Sequence, residues 1–286
     1  MGSTREFSLP IRLFLKAYPW RRIQPIPWVP LSKPLSQCRV ALATSAGFSA
    51  AGQPPFDDQV RGGDATFRLL SADTEVATLQ ENHRSTVFDR SGLHRDRNLA
   101  FPLDRLREMA AAGRIGSVAP QHLSFMGSQT APGRLIRDTA PVAAARLRAD
   151  GVDAAVLIPV CPVCNQTVAL IAAELERQGI ATVCLMLLRE VAEKVRPPRA
   201  LCVPFRHGYP LGQPDDPDGQ ARVLEAAFYV LEHENGPAPV LRELKSGYPP
   251  PPETSPDGGK PQSTTPLIPK VPSAGRTQGE TGPTPR

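Results

Sequence analysis

The sequence is short of cysteine, of aromatic residues and of long apolar runs, and each shortage excludes something. Five cysteines in 286 residues, an odd number at no framework spacing, exclude a disulfide-stapled scaffold. They point to a reducing compartment, so a cytoplasmic protein is expected. No apolar run reaches the roughly 18 residues needed to cross a bilayer. The basic stretch at residues 1–22 has neither the long apolar segment nor the small-residue cleavage site of a secretory signal. Aromatic residues make up 6% of the chain, and no stripe of Arg or Lys interleaves with them. The net charge of +5 gathers in the first 40 residues and in the tail. Neither a nucleic-acid nor a membrane partner is expected.

What is present is a chain that changes character twice. Apolar residues make up 41%, enough for a core, and proline is abundant at 33. Residues 1–35 combine proline with arginine. Pro25, Pro27 and Pro30 forbid a continuous helix there, and we expect an irregular arm with Trp20 and Trp28 as packing anchors. Residues 246–286 hold Pro, Ser, Thr and Gly with almost no large apolar side chains, the composition of a disordered, dispensable tail. Between them, residues 36–245 alternate short apolar runs with amphipathic ones. The pattern predicts an α/β domain, doubly wound, on a mainly parallel sheet of about five strands. Strands are expected near 38–45, 66–70, 115–125, 154–160, 181–188 and 199–203, with helices near 102–112, 134–149, 163–178, 190–195 and 217–233.

The centre of this pattern is residues 152–188. A wholly apolar segment, residues 154–160, reads as a strand covered on both faces. Cys161-Pro-Val-Cys164 follows at once, and then Val168, Ile171, Ala172 and Leu175 recur at helical spacing up to Gly179. This is a strand–CxxC–helix–strand unit, with the cysteines at the strand end where open α/β sheets place their ligands. A thiol at a helix start meets free N–H groups and the positive end of the macrodipole, so Cys161 is expected to attack and to have the lowest thiol pKa. Cys164, a turn on, would resolve a mixed disulfide. The same spacing also fits half a zinc site or two packed cysteines. A structural zinc site usually needs a second close pair, which is missing, so no metal is expected.

Other candidates sit on strand ends and loops. Ser45 lies in a small-residue turn. His83 and Arg90 crowd into one polar loop, where Arg90 has the planar fork suited to a carboxylate. His122 is the candidate proton donor to a leaving amine. His207 lies in the loop after the strand near 199. These side chains are expected in one cleft with Cys161.

Several separated motifs, in order, resemble those of the selenoprotein B family of glycine/sarcosine/betaine reductases and D-proline reductase. They are His83-Arg-Ser85, Phe88-Asp-Arg90-Ser-Gly92, Phe101-Pro-Leu-Asp-Arg105-Leu, Ile115-Gly-Ser-Val and Ser124-Phe-Met-Gly127. Downstream come Ile158-Pro-Val-Cys161-Pro-Val-Cys164, Arg196-Pro-Pro-Arg-Ala-Leu, Val203-Pro-Phe and Pro210-Leu-Gly212. The likeness covers roughly residues 15–245. It implies that Cys161 stands where the family has selenocysteine, and that the pair reductively cleaves a C–N bond in a small amino-acid-like substrate. It also implies a thioredoxin-like or other dithiol reductant, and a second reductase subunit carrying a pyruvoyl group, with no cofactor in this chain. Two other functions stay open on the residues alone. One is a stand-alone thiol–disulfide oxidoreductase, and the other a non-catalytic binding protein with a structural cysteine pair.

Overall fold

A computed structural model describes residues 3–234 and 236–245. The tail expected at 246–286 lies outside these residues. In chain order the elements are α1 (Leu9–Ala17), β1 (Arg39–Thr44), β2 (Phe48–Ser49), β3 (Phe67–Ser71), β4 (Gln80–Glu81), α2 (Ser91–Arg95), α3 (Leu103–Ala111), β5 (Ser117–Val118) and β6 (Gln121–Phe125). They continue with α4 (Ala140–Ala149), β7 (Ala154–Ile158), α5 (Cys164–Arg177), β8 (Ala181–Met186), α6 (Arg189–Val195), β9 (Arg199–Cys202), α7 (Pro217–His233) and β10 (Val240–Glu243).

The main sheet runs in the order β10-β9-β8-β7-β1-β6-β3, with β5 also on β1. Eight strands therefore replace the expected five. All pair in parallel except β3, which lies antiparallel on β6 with Leu69 opposite Leu123. Three departures have local causes. The expected strand near 115–125 is two strands, because Pro120 has no N–H to give to a ladder between β5 and β6. The strand β10 is four residues long and half charged, too short and too polar to stand out in sequence. The arm is not irregular throughout: α1 forms because Pro10 sits in its first turn, where proline is tolerated, and Pro19 comes only after its end.

Both faces of the sheet are covered. Along β1, Val40 and Leu42 point into one core with Leu103, Leu106 and Phe228, while Ala41 and Ala43 point into the other with Leu147. Alternation of this kind is the period of a strand buried on both sides. On the second face the strands present Ala43, Ala155 and Ala200, and their small size admits α5 close to the sheet.

Sheet order also decides where a ligand belongs. From β1 the chain builds β5 and β6 on one side, then crosses to place β7 on the other. The β1–β7 boundary is thus a topological switch point, whose carboxyl side is the usual crevice of such sheets. Thr44 stands opposite Ile158 at that edge. The chain leaves β1 into Ser45 and leaves β7 towards Cys161.

The arm wraps the rim of this domain. The Arg199 guanidinium lies 3.5 Å from the centre of the Trp28 ring and 2.7 Å from the Glu176 carboxylate. Both charged side chains are wholly buried. Glu176 also accepts from the Val29 N–H, from the Thr182 N–H at 2.8 Å and from the Thr182 hydroxyl at 2.9 Å. Arg199 donates in turn to the Val29 carbonyl at 2.6 Å.

Candidate active site

The loops after β1 and β7 are stitched together by two hydrogen bonds. The Ser45 N–H donates to the Ile158 carbonyl at 3.0 Å, and the Val160 N–H donates to the Ser45 hydroxyl at 3.2 Å. This fixes Cys161 at the strand end. The first-turn N–H of α5, on Cys164, then donates to the Cys161 sulfur at 3.2 Å. Both thiols are free and almost fully buried. Of the two, Cys161 lines a cavity of about 210 Å³ that opens between α1 and residues 84–87; Cys164 lies beneath it.

His83 completes the group. Its Nε2 lies 3.3 Å from the Cys164 sulfur. Its Nδ1 accepts the Ser85 N–H at 3.0 Å. An imidazole whose Nδ1 accepts carries its hydrogen on Nε2, so the ring donates to Cys164. The two sulfurs and Nε2 lie within 4.8 Å of one another, a spread that suits a soft metal ion. With Nδ1 accepting the Ser85 N–H, the ring would have to give up its Nε2 proton before it could ligate a metal ion through that nitrogen. The arrangement is that of a hydrogen-bond donor to sulfur.

The electrostatics reverse the order expected of the pair. Burial opposes a charge on Cys164, but the Cys161 thiol, His83 and Ser45 outweigh it and hold its pKa well below the ordinary thiol value. Burial and the adjacent Cys164 sulfur push Cys161 well above it. Within the pair these contacts favour the charge on Cys164 over Cys161. The helix-start amides were expected to place it on Cys161, but they are outweighed by burial and by the contacts of Cys164 with His83 and Ser45, 81 and 119 positions away in sequence. The other three cysteines are ordinary buried thiols. Burial raises Cys38 to about 11 and Cys202 to about 12, and raises Cys184 further. We expect the thiolate absorbance of the reduced protein near 240 nm to titrate below the range of a free cysteine, and the His83→Gln variant to move that midpoint upward. An unchanged midpoint would remove His83 from the site.

Gly127 shows how closely the site is packed. A Cβ built there would stand 2.6 Å from the Cys164 sulfur and 2.5 Å from the Ser45 Cβ, so only glycine lets the 126–128 backbone pass. The Thr167 hydroxyl pins the Gly127 carbonyl at 2.7 Å from α5.

Of the residues singled out in sequence, Ser45 and His83 join Cys161 and Cys164, while three others serve elsewhere. Arg90 does not face the cavity as a free cation. It donates to the His83 carbonyl, to the Ser85 carbonyl at 2.6 Å and to Glu81 at 3.3 Å. It clamps the turn that carries His83. His207 is buried against Phe7, with Nδ1 at 3.1 Å from the Glu6 carboxylate, so it anchors the arm. The loop after it is tied back to the site by the Gly208 N–H on the Val160 carbonyl at 2.9 Å.

His122 is a core histidine. It stands on β6 two residues before the position level with Thr44, edge-on to Phe101, and Nδ1 accepts the Leu42 N–H at 3.0 Å. Burial, with Arg107 nearby, lowers its pKa from 6.5 to about 3. It is unprotonated at neutral pH and unsuited to be the proton donor expected of it. This has a consequence for stability. In the folded chain His122 binds its proton only near pH 3, in the unfolded chain near 6.5, so the folded state loses stability as pH falls through that window. His122→Asn keeps an acceptor for Leu42 without titrating. The stability margin of the native chain over this variant should shrink by about 3 kcal/mol between pH 7 and pH 4, read from urea unfolding at each pH.

Two features had no distinctive mark in sequence. Arg84 lines the cavity beside Cys161, and α1 roofs it with Ile11, Phe14 and Leu15. The HRS triplet hinted at Arg84 but nothing in it separates that arginine from Arg90. The roof comes from a helix in a segment read as irregular.

The family profile of glycine/sarcosine/betaine reductase selenoprotein B matches residues 10–160, more than half of the chain. The chain belongs to this family. Among curated relatives it is 30% identical to the D-proline reductase subunit gamma of Acetoanaerobium sticklandii over 204 residues, covering 71% of this chain and 82% of the relative. It is 28% identical to the glycine reductase complex component B subunit gamma of Carboxydothermus hydrogenoformans, over 74% of this chain and 48% of that one. It is also 28% identical to the sarcosine reductase complex component B subunit beta of Peptoclostridium acidaminophilum, over 70% and 46%. The chain thus spans about half the length of the glycine and sarcosine relatives. No solved structure matches it. Among the described residues no helix is long and apolar enough to cross a membrane.

Proposed function

We propose that this selenoprotein B family member is a thiol-dependent reductase that cleaves a C–N bond in a small amino-acid-like substrate through Cys161 and Cys164. The observation that carries the reading is the division of labour in the pair. Cys161 faces the cavity, and Cys164 lies beneath it with His83 Nε2 at 3.3 Å from its sulfur, a contact that lowers its pKa.

In the proposed cycle the Cys161 sulfur attacks the carbon that bears the amine. As it attacks, Cys161 passes its proton to Cys164; a C–S bond forms, the C–N bond breaks, and Cys164 hands the proton on to the departing amine, which leaves Cys164 as a thiolate. The Cys164 thiolate then attacks the Cys161 sulfur. The S–S bond forms, the C–S bond breaks, and the carbon takes a proton from solvent. One C–N bond is reduced and two cysteines are oxidised to a disulfide, which a dithiol donor returns to the reduced state by thiol–disulfide exchange. A low thiol pKa on the second cysteine favours this order, because resolution needs a thiolate ready after the first step. Cys164 is near at hand, its sulfur within 4.8 Å of the Cys161 sulfur.

The relatives are named as subunits of reductase complexes, which supports a second subunit as a working partner of this chain. No step above runs through the pyruvoyl group that the family likeness assigns to a separate subunit. The test is a dithiol-dependent assay with glycine, sarcosine, betaine and D-proline, with and without added partner subunits, together with peptide mapping after mild diamide oxidation. A Cys161–Cys164 disulfide and dithiol-dependent release of amine from one of the four are expected. Both cysteines remaining free while Cys38, Cys184 or Cys202 react would end the redox reading.

A further inference from the structure

The cavity over Cys161 has three properties that together select a ligand. Its volume, about 210 Å³, is below the range of pockets for drug-sized molecules, so it takes a small one. Its roof is apolar, from Ile11, Phe14 and Leu15 of α1, and suits a short hydrocarbon body. Among the described residues that line it, Arg84 is the one charged side chain and none is acidic.

Arg84 differs in kind from the arginines around it. Arg90 is occupied by two carbonyls and by Glu81. Arg206 pairs with Asp89 at 3.2 Å. Arg84 makes one hydrogen bond, from Nη1 to the Val60 carbonyl at 2.7 Å, which orients the guanidinium. No carboxylate of the described residues pairs with it, and Nε and Nη2 have no protein acceptor there. A partly buried guanidinium with one nitrogen fixed and the others unpaired, in a cavity without acidic groups, is a preset receptor for a planar anion. Thr86 and Ser128, which also line the cavity, bring hydroxyls to it.

We propose that Arg84 is the carboxylate anchor of this cavity, holding a small amino acid by its carboxylate with the adjoining carbon towards Cys161. The inference rests on the reductase reading above and names the group that selects its substrates. It moves the anchoring role from Arg90, the residue singled out by sequence, to its neighbour six positions earlier. Arg90 becomes the positioning residue that holds the 83–85 turn, and so both Arg84 and His83, in place.

The test is titration calorimetry on the reduced full chain with glycine, sarcosine, betaine and D-proline, and with D-prolinamide and inorganic sulfate as controls. At least one acid should bind. D-Prolinamide should bind at least tenfold more weakly than D-proline, and sulfate more weakly than the best acid. Arg84→Met should weaken the best acid at least tenfold and leave D-prolinamide unchanged. Arg84→Lys, which keeps the charge but loses the fork, should fall between. No binding by any of the four acids overturns the proposal. So do equal binding of amide and acid, sulfate matching the best acid, and an unchanged affinity in Arg84→Met. Should Arg84→Met fail to fold, the amide and sulfate arms and Arg84→Lys still decide. The same preparations are mapped after diamide. A cysteine pair that does not oxidise overturns the reductase reading while the anchor result stands. An oxidising pair with Arg84-independent binding overturns the anchor alone.

Discussion

The Cys161→Ser and Cys164→Ser variants should each lower dithiol-dependent turnover by about 10³-fold or more, because the two sulfurs act as one unit and neither half can complete the exchange of bonds. The variants should fail differently. With Cys161→Ser no carbon–sulfur bond forms, and Cys164 remains a titrating thiolate next to His83. With Cys164→Ser the first step remains open but resolution does not, so the alkylated Cys161 should accumulate and be visible by mass spectrometry of the intact chain. A single turnover in Cys164→Ser that releases reduced product would show that resolution comes from an external thiol, and the two-cysteine cycle would be wrong. Serine is close to cysteine in size, and the melting temperature of each variant, read beside its turnover, separates loss of chemistry from loss of fold.

The second large effect is on stability. Glu176→Ala leaves the Arg199 guanidinium wholly buried with only Val29 and the Trp28 ring for company. Removing one partner of a buried pair costs about 3–5 kcal/mol, because the remaining charge is uncompensated. For a chain of this size that corresponds to a fall in melting temperature of about 10 °C. The double variant Glu176→Leu with Arg199→Met removes both charges and should recover most of the loss, since an apolar pair of similar volume pays no desolvation cost. The arm should report the damage first, because Val29 is bonded to both members of the pair and Trp28 stacks on one. Limited proteolysis near residues 20–34 should quicken in Glu176→Ala before the domain melts. A single variant as stable as the native chain would show that the pair is not what docks the arm.

The comparison of sequence and structure follows from how far apart interacting residues lie in the chain. The strand–CxxC–helix–strand unit was legible because every signal in it is local: an apolar run, a cysteine pair, a helical period and Gly179 at the stop. The class of fold was legible for the same reason. So was the carboxyl side of the sheet as the place for the cysteines, because a crossover places the end of one parallel strand at the start of the next helix. The strand count was not. β5 is two residues split from the strand expected near 115–125, and β10 is a four-residue strand not expected at all; both exist because neighbours offer them a ladder, which no propensity records.

What lies within the site was decided by distant contacts. His83 and Cys164 are separated by 81 positions and meet because β4, which leads into His83, pairs with β2 just after β1, and β1 lies beside β7 in the main sheet. A helix-start argument, applied to the CxxC motif alone, placed the thiolate on Cys161; the folded chain adds an imidazole, held by the Ser85 amide and an Arg90 clamp, and places it on Cys164. His122, Arg90 and His207 carried the right functional groups, but the surrounding atoms assigned them to core, clamp and arm. Composition and period thus determined which elements form and where the cysteines stand. Tertiary structure decided which thiol is charged, which arginine is free and what roofs the cavity, because charge and access depend on every neighbour in space, and only the folded chain says which residues those are.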